Sequence, residues 1–277
     1  MIRSLFIALC MYVSAALQAQ YYYKDIVSSK QTMEQLKNYR AQGIRSIKVV
    51  SYESTGEKTE DFTGAQNISD NYSRIRTSFQ TPLAGESELT TFFNPAGQLV
   101  KTVDTTDGSG SVSNYVYNNN GQISSIVNVS TSPGMHQEKE EHRWTYNAEG
   151  KPQRMLRIKN EVDTTYINFV LDEKGNVAEE NSRRHGAAQT SYYYYYNDEN
   201  KLTDIVTYNQ RAKRLLPIYV FEYNDNGSIR SMMVVPEGSD DYQTWHYEYS
   251  AAGLKTKETC FNKRKQMLGR IEYVYSK

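Results

Sequence analysis

The chain has 277 residues, enough for one large domain or two small ones with a substantial core. Its 32 basic and 32 acidic side chains give a formal net charge of zero, which argues against nucleic acid or an anionic membrane as a partner selected by charge. Tyrosine is the compositional outlier, with 24 residues against 8 phenylalanines and 2 tryptophans. Aromatic side chains suit half-buried strands, so the composition favours β-structure.

The first 19 residues have the pattern of a secretory signal peptide. Arg3 supplies a positive charge, residues 5–17 are apolar, and Ala19 belongs to a small-residue cleavage site. We therefore expect an exported bacterial protein, either periplasmic or secreted to the cell surface, with no transmembrane segment after signal removal. Cys10 is not preceded by the small residue that lipidation requires, so Cys260 is expected to be the lone cysteine of the mature chain, without a disulfide partner.

Residues 20–88 are predicted to form an N-terminal region distinct from the rest. Ser28 and Gln31 have the spacing of a capping box, and Gly43 is a typical helix stop. A short helix is therefore expected from Ser28 to Gly43. Residues 55–88 are rich in serine, threonine, glycine and asparagine, which predicts loops with one or two irregular strands.

A repeated turn pattern dominates residues 89–277. Each unit has an aromatic or apolar strand end, then Asn, Asp or Ser, two further residues, and a residue suited to positive φ. The units end at Gly97, Gly121, Gly150, Gly175, Asn200, Gly227 and Gly253. Successive ends are 24 to 29 positions apart. The first position favours a type I turn and the last a left-handed G1 bulge, so each unit predicts a β-hairpin.

These units resemble the YD repeats of Rhs-type toxin shells and teneurins, a Tyr-x-Tyr-Asn/Asp-x-x-Gly-x-Leu pattern. The stretch YVYNNNGQI at residues 115–123 fits the pattern most fully. The resemblance implies a continuous antiparallel sheet that curls, in a short secreted member similar to those of Bacteroidetes-type bacteria. It also implies a scaffold without catalytic residues, so there is no active site to assign.

Alternating aromatic residues near the strand ends are the candidates for ligand binding. An exposed row of rings could stack on a sugar or hold a peptide. The candidates are Tyr192, Tyr194, Tyr196, Trp245, Tyr247 and Tyr249. The alternative, which we favour for most of the rings, is a structural ladder of cross-strand aromatic pairs. The five consecutive tyrosines at residues 192–196 must populate both faces of the sheet, so some are expected to be exposed or covered by a partner.

Catalytic and metal chemistry have weak support. His136, Glu138, Glu140 and His142 alternate and could hold a divalent ion, but the segment lacks a recognised zinc spacing and is expected to be a solvated connector. His185, His246 and Cys260 have no evident catalytic partner in the sequence, and there is no serine nucleophile elbow. We expect no metal, no cofactor and no enzymatic activity.

The sequence therefore predicts an all-β protein, a continuous twisted antiparallel sheet of hairpin repeats with one short N-terminal helix. An outer-membrane barrel is disfavoured by the mean hydropathy of −0.72. The expected function is a non-catalytic scaffold, secreted or periplasmic, that binds a glycan or an envelope protein. The alternatives are a hydrolase or metal-binding protein with its site on the inter-hairpin loops, and a purely structural assembly protein.

Overall fold

The computed structural model describes residues 21–81, 85–106, 108–236, 239 and 241–277. The predicted signal peptide lies outside these residues. The described part of the chain contains the helix α1 (Lys24–Gln42) and 18 strands. The strands are β1 (Ser46–Glu53), β2 (Thr63–Ile68), β3 (Arg74–Thr81), β4 (Gly85–Phe93), β5 (Leu99–Thr106), β6 (Ser109–Tyr117), β7 (Ile123–Thr131), β8 (Glu138–Tyr146), β9 (Pro152–Lys159), β10 (Asp163–Leu171), β11 (Val177–Arg184), β12 (Thr190–Tyr196), β13 (Leu202–Asn209), β14 (Arg214–Tyr223), β15 (Ile229–Val234), β16 (Gln243–Tyr249), β17 (Lys255–Asn262) and β18 (Met267–Ser276).

The strands form one closed antiparallel barrel. Each strand pairs with its neighbours in the chain, and β1 pairs with both β2 and β18. Ile47 lies opposite Tyr275 in the closing pair and opposite Gln66 on its other side. This architecture confirms the predicted continuous sheet of hairpins with an N-terminal helix. Closure pairs the backbone N–H and C=O groups that the edge strands of an open sheet would expose to other chains.

The repeat turns share one scheme of backbone hydrogen bonds. In the first unit the N–H of Gly97 donates to the carbonyl of Asn94, and the Asn94 side chain accepts the N–H of Gln98 at 2.9 Å. The seven predicted left-handed residues have φ from +59° at Asn200 to +85° at Gly227. The register of each of these hairpins shifts beside its turn, which is the signature of a β-bulge.

A further turn of the same kind joins β17 to β18. The N–H of Lys265 donates to the carbonyl of Asn262, and Lys265 has φ of +59°. The sequence pattern missed this turn because lysine stands where the other units carry glycine or asparagine. The aromatic residue and asparagine at Phe261 and Asn262 were the available signal.

Tyrosines before the turns join neighbouring hairpins. Backbone pairing between β7 and β8 ends where Ser125 lies opposite Arg143. Beyond that point the hydroxyl of Tyr146 donates to the carbonyl oxygen of Ile123 at 2.8 Å. Five more tyrosines make the equivalent bond at 2.6 to 3.0 Å, namely Tyr117 to Leu99, Tyr196 to Val177, Tyr223 to Leu202, Tyr249 to Ile229 and Tyr275 to Lys255. The hydroxyl thus bridges the gap that the bulged turns leave between hairpins.

Helix α1 lies inside the barrel. Its residues Leu36 and Tyr39 pack with apolar side chains from β1 to β5, while Ile26 packs with side chains from β7 to β14. Asp25 in the first turn of α1 also bonds His142 in the middle of β8, so the helix begins against the inner face of the wall. Within the described ranges, no helix combines the length and the apolar character that crossing a membrane would demand.

The bounds of α1 differ from the prediction at one end. The helix ends at Gln42, and Gly43 adopts φ of +70°, as the stop signal indicated. It begins at Lys24 rather than near Ser28, and the Ser28 hydroxyl, which lies within the helix, donates to the carbonyl of Lys24 instead of capping a new helix.

The region of residues 55–88 is more regular than predicted. It contains β2 and β3 as full members of the barrel, with Ile68, Ile75 and Phe79 buried. The strand β4 (Gly85–Phe93) spans residue 88, so strands on both sides of the predicted boundary belong to the same sheet.

Candidate functional site

The five tyrosines of β12 divide between the two faces of the barrel wall. Tyr192 and Tyr194 point into the barrel and are 5% and 4% exposed. Tyr193 is half-buried and Tyr195 is 49% exposed on the outer face. The alternation follows from the two-residue period of a strand, and it gives β12 two separate sets of contacts.

On the inner face, Glu180 anchors the start of the described chain. Its carboxylate accepts the backbone N–H groups of Tyr22 and Tyr23 at 2.8 to 2.9 Å and the hydroxyl of Tyr194 at 2.8 Å. The ring of Tyr21 contacts the rings of Tyr192, Tyr194 and Tyr219. Complete burial raises the pKa of Glu180 to about 7, although its three donors act in the opposite direction.

A second buried anchor holds the first turn of α1. Nδ1 of His142 lies 2.6 Å from a carboxylate oxygen of Asp25, and Nε2 lies 2.9 Å from Glu140. Arg157 pairs with the second oxygen of Glu140. Burial acts to lower the pKa of His142, but the two carboxylates outweigh it and raise this pKa to about 9. Burial acts against ionisation of Glu140, yet His142 and Arg157 bring its pKa down to about 2.

On the outer face, Tyr193 and Tyr195 border an open groove of about 520 Å³ between β11 and β12. Backbone pairing of these strands stops at Glu179 opposite Tyr193, before either strand reaches its turn, and the groove lies beyond this point. Tyr194 and Tyr196, two of the six residues predicted to bind a ligand, also line it. The other polar residues of the lining are Asp172, Glu173, Lys174, Glu179, Asn197 and Asn200. A volume of this size lies in the range of small-ligand sites.

Hydrogen bonds fix several of the polar groups around this groove. Asp172 accepts the backbone N–H and the side-chain amide of Asn176, which holds its pKa below the ordinary value although burial acts against ionisation. The Asn176 amide also donates to Asn200 Oδ1 at 3.2 Å, connecting the two turns that flank the groove. Glu179 accepts the side-chain amide of Asn181 at 3.2 Å. The groove therefore offers two phenol rings beside oriented carboxylate and amide groups.

The six aromatic residues predicted as ligand-binding lie on the inner face. Tyr192 and Tyr194 contact the N-terminal segment, and Tyr194 also contributes to the lining of the groove. Tyr196 and Tyr249 donate to the backbone of the neighbouring hairpin. The other two are Trp245, which is buried, and Tyr247, whose ring lies 4.9 Å from the Lys255 ammonium. Ligand binding by these residues remains a prediction.

The outward pair Tyr193 and Tyr195 was not singled out from the sequence. The run of five tyrosines was the signal, because alternation guarantees that some of its rings face away from the interior. The sequence did not reveal which rings those are, since every position in the run carries the same side chain.

The histidines do not converge on one site. His142 is held in the interior, His136 and His185 lie in exposed loops, and the His246 ring packs edge-on against Phe261 on the outer face. Among the described residues, no group of three or more His, Cys, Asp or Glu side chains could hold a metal ion. Cys260 is buried, with Sγ 3.9 Å from Gln243 Oε1.

Comparison with known proteins gives distant structural neighbours. No protein-family model and no curated protein matches the chain. A porin-like protein from Bacteroides uniformis is 10% identical to this chain, with a TM-score of 0.40. The match covers 84% of this chain and 98% of the porin-like chain. A second, from Bacteroides vulgatus, is 11% identical with a TM-score of 0.28 over 84% of this chain and 98% of its own. The Tc holotoxin pore of Photorhabdus luminescens is 14% identical with a TM-score of 0.33 over 76% of this chain, which spans only 12% of that toxin chain. At these TM-scores the likeness carries no functional implication.

Proposed function

We propose that the protein is an exported, non-catalytic binding protein of the bacterial envelope and that a glycan binds in the outer groove between β11 and β12. One observation carries this proposal: Tyr193 and Tyr195 face outward beside a groove whose lining also contains Tyr194, Tyr196 and carboxylate, amide and ammonium groups. The signal-like sequence at residues 1–19 supports export.

The chemistry of the groove suits a sugar. The exposed ring of Tyr195 offers an apolar face on which a pyranose ring can stack, and its hydroxyl can exchange hydrogen bonds. Glu179 and Asp172 can accept hydrogen bonds from sugar hydroxyl groups, while Asn200 can both donate and accept. A few polar groups at the margin of aromatic surface are typical of sites that orient a small ligand.

The proposal includes the absence of catalysis. The side chains that line the groove are phenols, carboxylates, amides, one lysine and one alanine, a set that contains no serine, threonine, cysteine or histidine nucleophile. Two carboxylates could still hydrolyse a glycosidic bond, so every glycan that binds is also to be incubated with the protein and assayed for cleavage products. Cleavage would contradict this part of the proposal and favour the hydrolase alternative.

A glycan array with the mature protein tests the proposal, followed by calorimetry on each sugar that binds. Tyr195→Ala is expected to weaken binding by up to about tenfold, because a stacked ring contributes about 0.5 to 1.5 kcal/mol. Tyr166→Ala is the matched control, since Tyr166 is an exposed tyrosine on β10 that does not line the groove. Equal losses in both variants, or no glycan bound by the wild type, would contradict the proposal.

A further inference from the structure

The outer face of β13 to β15 carries a run of apolar residues, whereas charged pairs cover much of the barrel wall. Elsewhere the outward positions carry pairs such as Glu141 with Arg143 and Lys257 with Glu248. On these three strands six outward residues are apolar and form what we call the apolar patch, with Asp204 opposite Val220 within it and the Glu222–Arg230 pair beside it. Its members are Val206, Tyr208, Leu215, Pro217, Val220 and Met233.

The strand register makes the patch continuous. Tyr208 lies opposite Leu215, Val206 lies opposite Pro217, and Val220 lies opposite Met233. Tyr208 is 47% exposed and Leu215 is 43% exposed, whereas Pro217, Val220 and Met233 are half-buried and Val206 is buried. A contiguous exposed apolar surface on a soluble protein is typical of an interaction site.

Opposite charges lie at the two ends of this patch. The loop between β13 and β14 carries Arg211, Lys213 and Arg214, which we call the basic edge. The turns at the other end of the same strands carry Asp198, Glu199 and Asp225, which we call the acidic edge. The eight residues of β13 separate the two edges by about 26 Å.

Most of these edge charges lack an ion-pair partner in the part of the chain that the structure describes. All six side chains belong to exposed residues. Glu199 pairs with Lys201, whereas the other five have no ion-pair partner among the residues that the structure describes. The patch therefore has one positive end and one negative end, both available to a second molecule.

We propose that the apolar patch is the interface between two copies of this chain, related by a two-fold axis through the patch. A two-fold axis that lies in the plane of the interface and runs perpendicular to the strands reverses the strand direction of one copy relative to the other. Each basic edge then faces the acidic edge of the other copy, while the two patches bury each other. Charge complementarity selects a second copy as the occupant, because the patch is its own electrostatic complement in this orientation.

This interface goes beyond the proposed glycan site. The groove between β11 and β12 lies on the strands next to the patch, so a dimer carries two grooves on one assembly. Two linked sites would raise the avidity for a multivalent surface without any new contact.

Sedimentation velocity over a range of concentrations tests the apolar part of the interface. The wild type is expected to show a monomer–dimer equilibrium that sediments as dimer at about 0.1 mM. Leu215→Asp is expected to raise the dimer dissociation constant by about tenfold or more, because it buries an unpaired charge. The matched control is Val116→Asp, since Val116 is a similarly exposed apolar residue on β6, outside the patch. A monomeric wild type at about 0.1 mM, or equal effects of the two variants, would overturn the proposal.

Charge reversal tests the orientation. The double variant Arg211→Glu with Arg214→Glu and the double variant Asp198→Lys with Asp225→Lys are each expected to sediment as monomers at low salt. An equimolar mixture of the two is expected to recover the dimer, because every edge again faces an opposite charge. Circular dichroism of each variant confirms that it folds. Variants that dimerise alone as well as the wild type, or a mixture that stays monomeric while both variants are folded, would refute the two-fold arrangement.

Discussion

The carboxylate of Glu180 accepts the backbone N–H of Tyr22 at 2.8 Å, joining β11 to a residue 158 positions earlier in the chain. Together with the Asp25 and His142 pair, this contact holds the N-terminal segment against the inner wall. Both anchors depend on buried groups whose charge changes between pH 4 and 9. Their protonation therefore links the stability of the barrel to pH.

Stability is predicted to fall as pH rises from 5 to 9. The pKa of Glu180 rises from its ordinary 4.5 to about 7 on folding, and that of His142 rises from 6.5 to about 9. A raised folded-state pKa contributes stability that is complete below the unfolded pKa and is lost as pH rises through the folded one. The Glu180 contribution is lost between pH 4.5 and 7, and the His142 contribution between 6.5 and 9. Each amounts to about 3 kcal/mol. Urea unfolding at pH 5, 7 and 9 measures this decline, and a constant free energy of unfolding would contradict it.

Glu180→Gln isolates the first of these two contributions. A glutamine amide has one acceptor oxygen and one donor group, like a protonated carboxyl, so the variant is expected to match the wild type at pH 5 within about 1 kcal/mol. Since the amide does not titrate, the decline of the unfolding free energy between pH 5 and 7 is expected to disappear. The decline between pH 7 and 9 should persist, because His142 is unchanged. An unaltered decline below pH 7 would show that another group is responsible.

Tyr146→Phe is predicted to lower the free energy of unfolding by about 1 kcal/mol. The variant removes the hydroxyl that bonds to the carbonyl of Ile123 between two hairpins and leaves the ring in place. The control is Tyr166→Phe, which removes a hydroxyl from an exposed tyrosine outside the interior. Chemical denaturation of both variants provides the comparison. If both lose the same stability, the inter-hairpin bond is not what the tyrosine contributes.

The hairpins could be predicted from the sequence because turn chemistry is local. The bond from Gly121 to Asn118 involves residues three positions apart, and positive φ restricts the residue type directly. Closure of the ring could not be predicted in the same way. It depends on β1 pairing with β18, whose residues Ile47 and Tyr275 are far apart in the chain, and no local pattern encodes that pairing.

The sequence also could not show which face of β12 points into the barrel. Alternation predicts that β12 has two faces, but identical tyrosines at successive positions give no indication of which face is inside. The structure assigns Tyr194 to the interior through Glu180 and the N-terminal segment, a contact that depends on tertiary structure alone. The groove at Tyr195 is consequently a structural finding that the sequence could only suggest.

Gly150→Ala is predicted to destabilise the barrel by about 1 to 2 kcal/mol. Gly150 has φ of +75°, and an added Cβ would lie 3.1 Å from Nε2 of Gln122 in the neighbouring turn. That amide donates to the carbonyl of Gly150, so moving it away would also weaken an inter-turn hydrogen bond. Gly134→Ala is the matched control, because Gly134 has φ of +71° but no atom within 4 Å of its added Cβ. Gly134→Ala places a Cβ at positive φ without the contact to a neighbouring turn. The difference between the losses of unfolding free energy in the two variants therefore measures the cost of the contact with Gln122. A Gly134→Ala loss as large as that of Gly150→Ala would mean that glycine is required there for its backbone conformation alone.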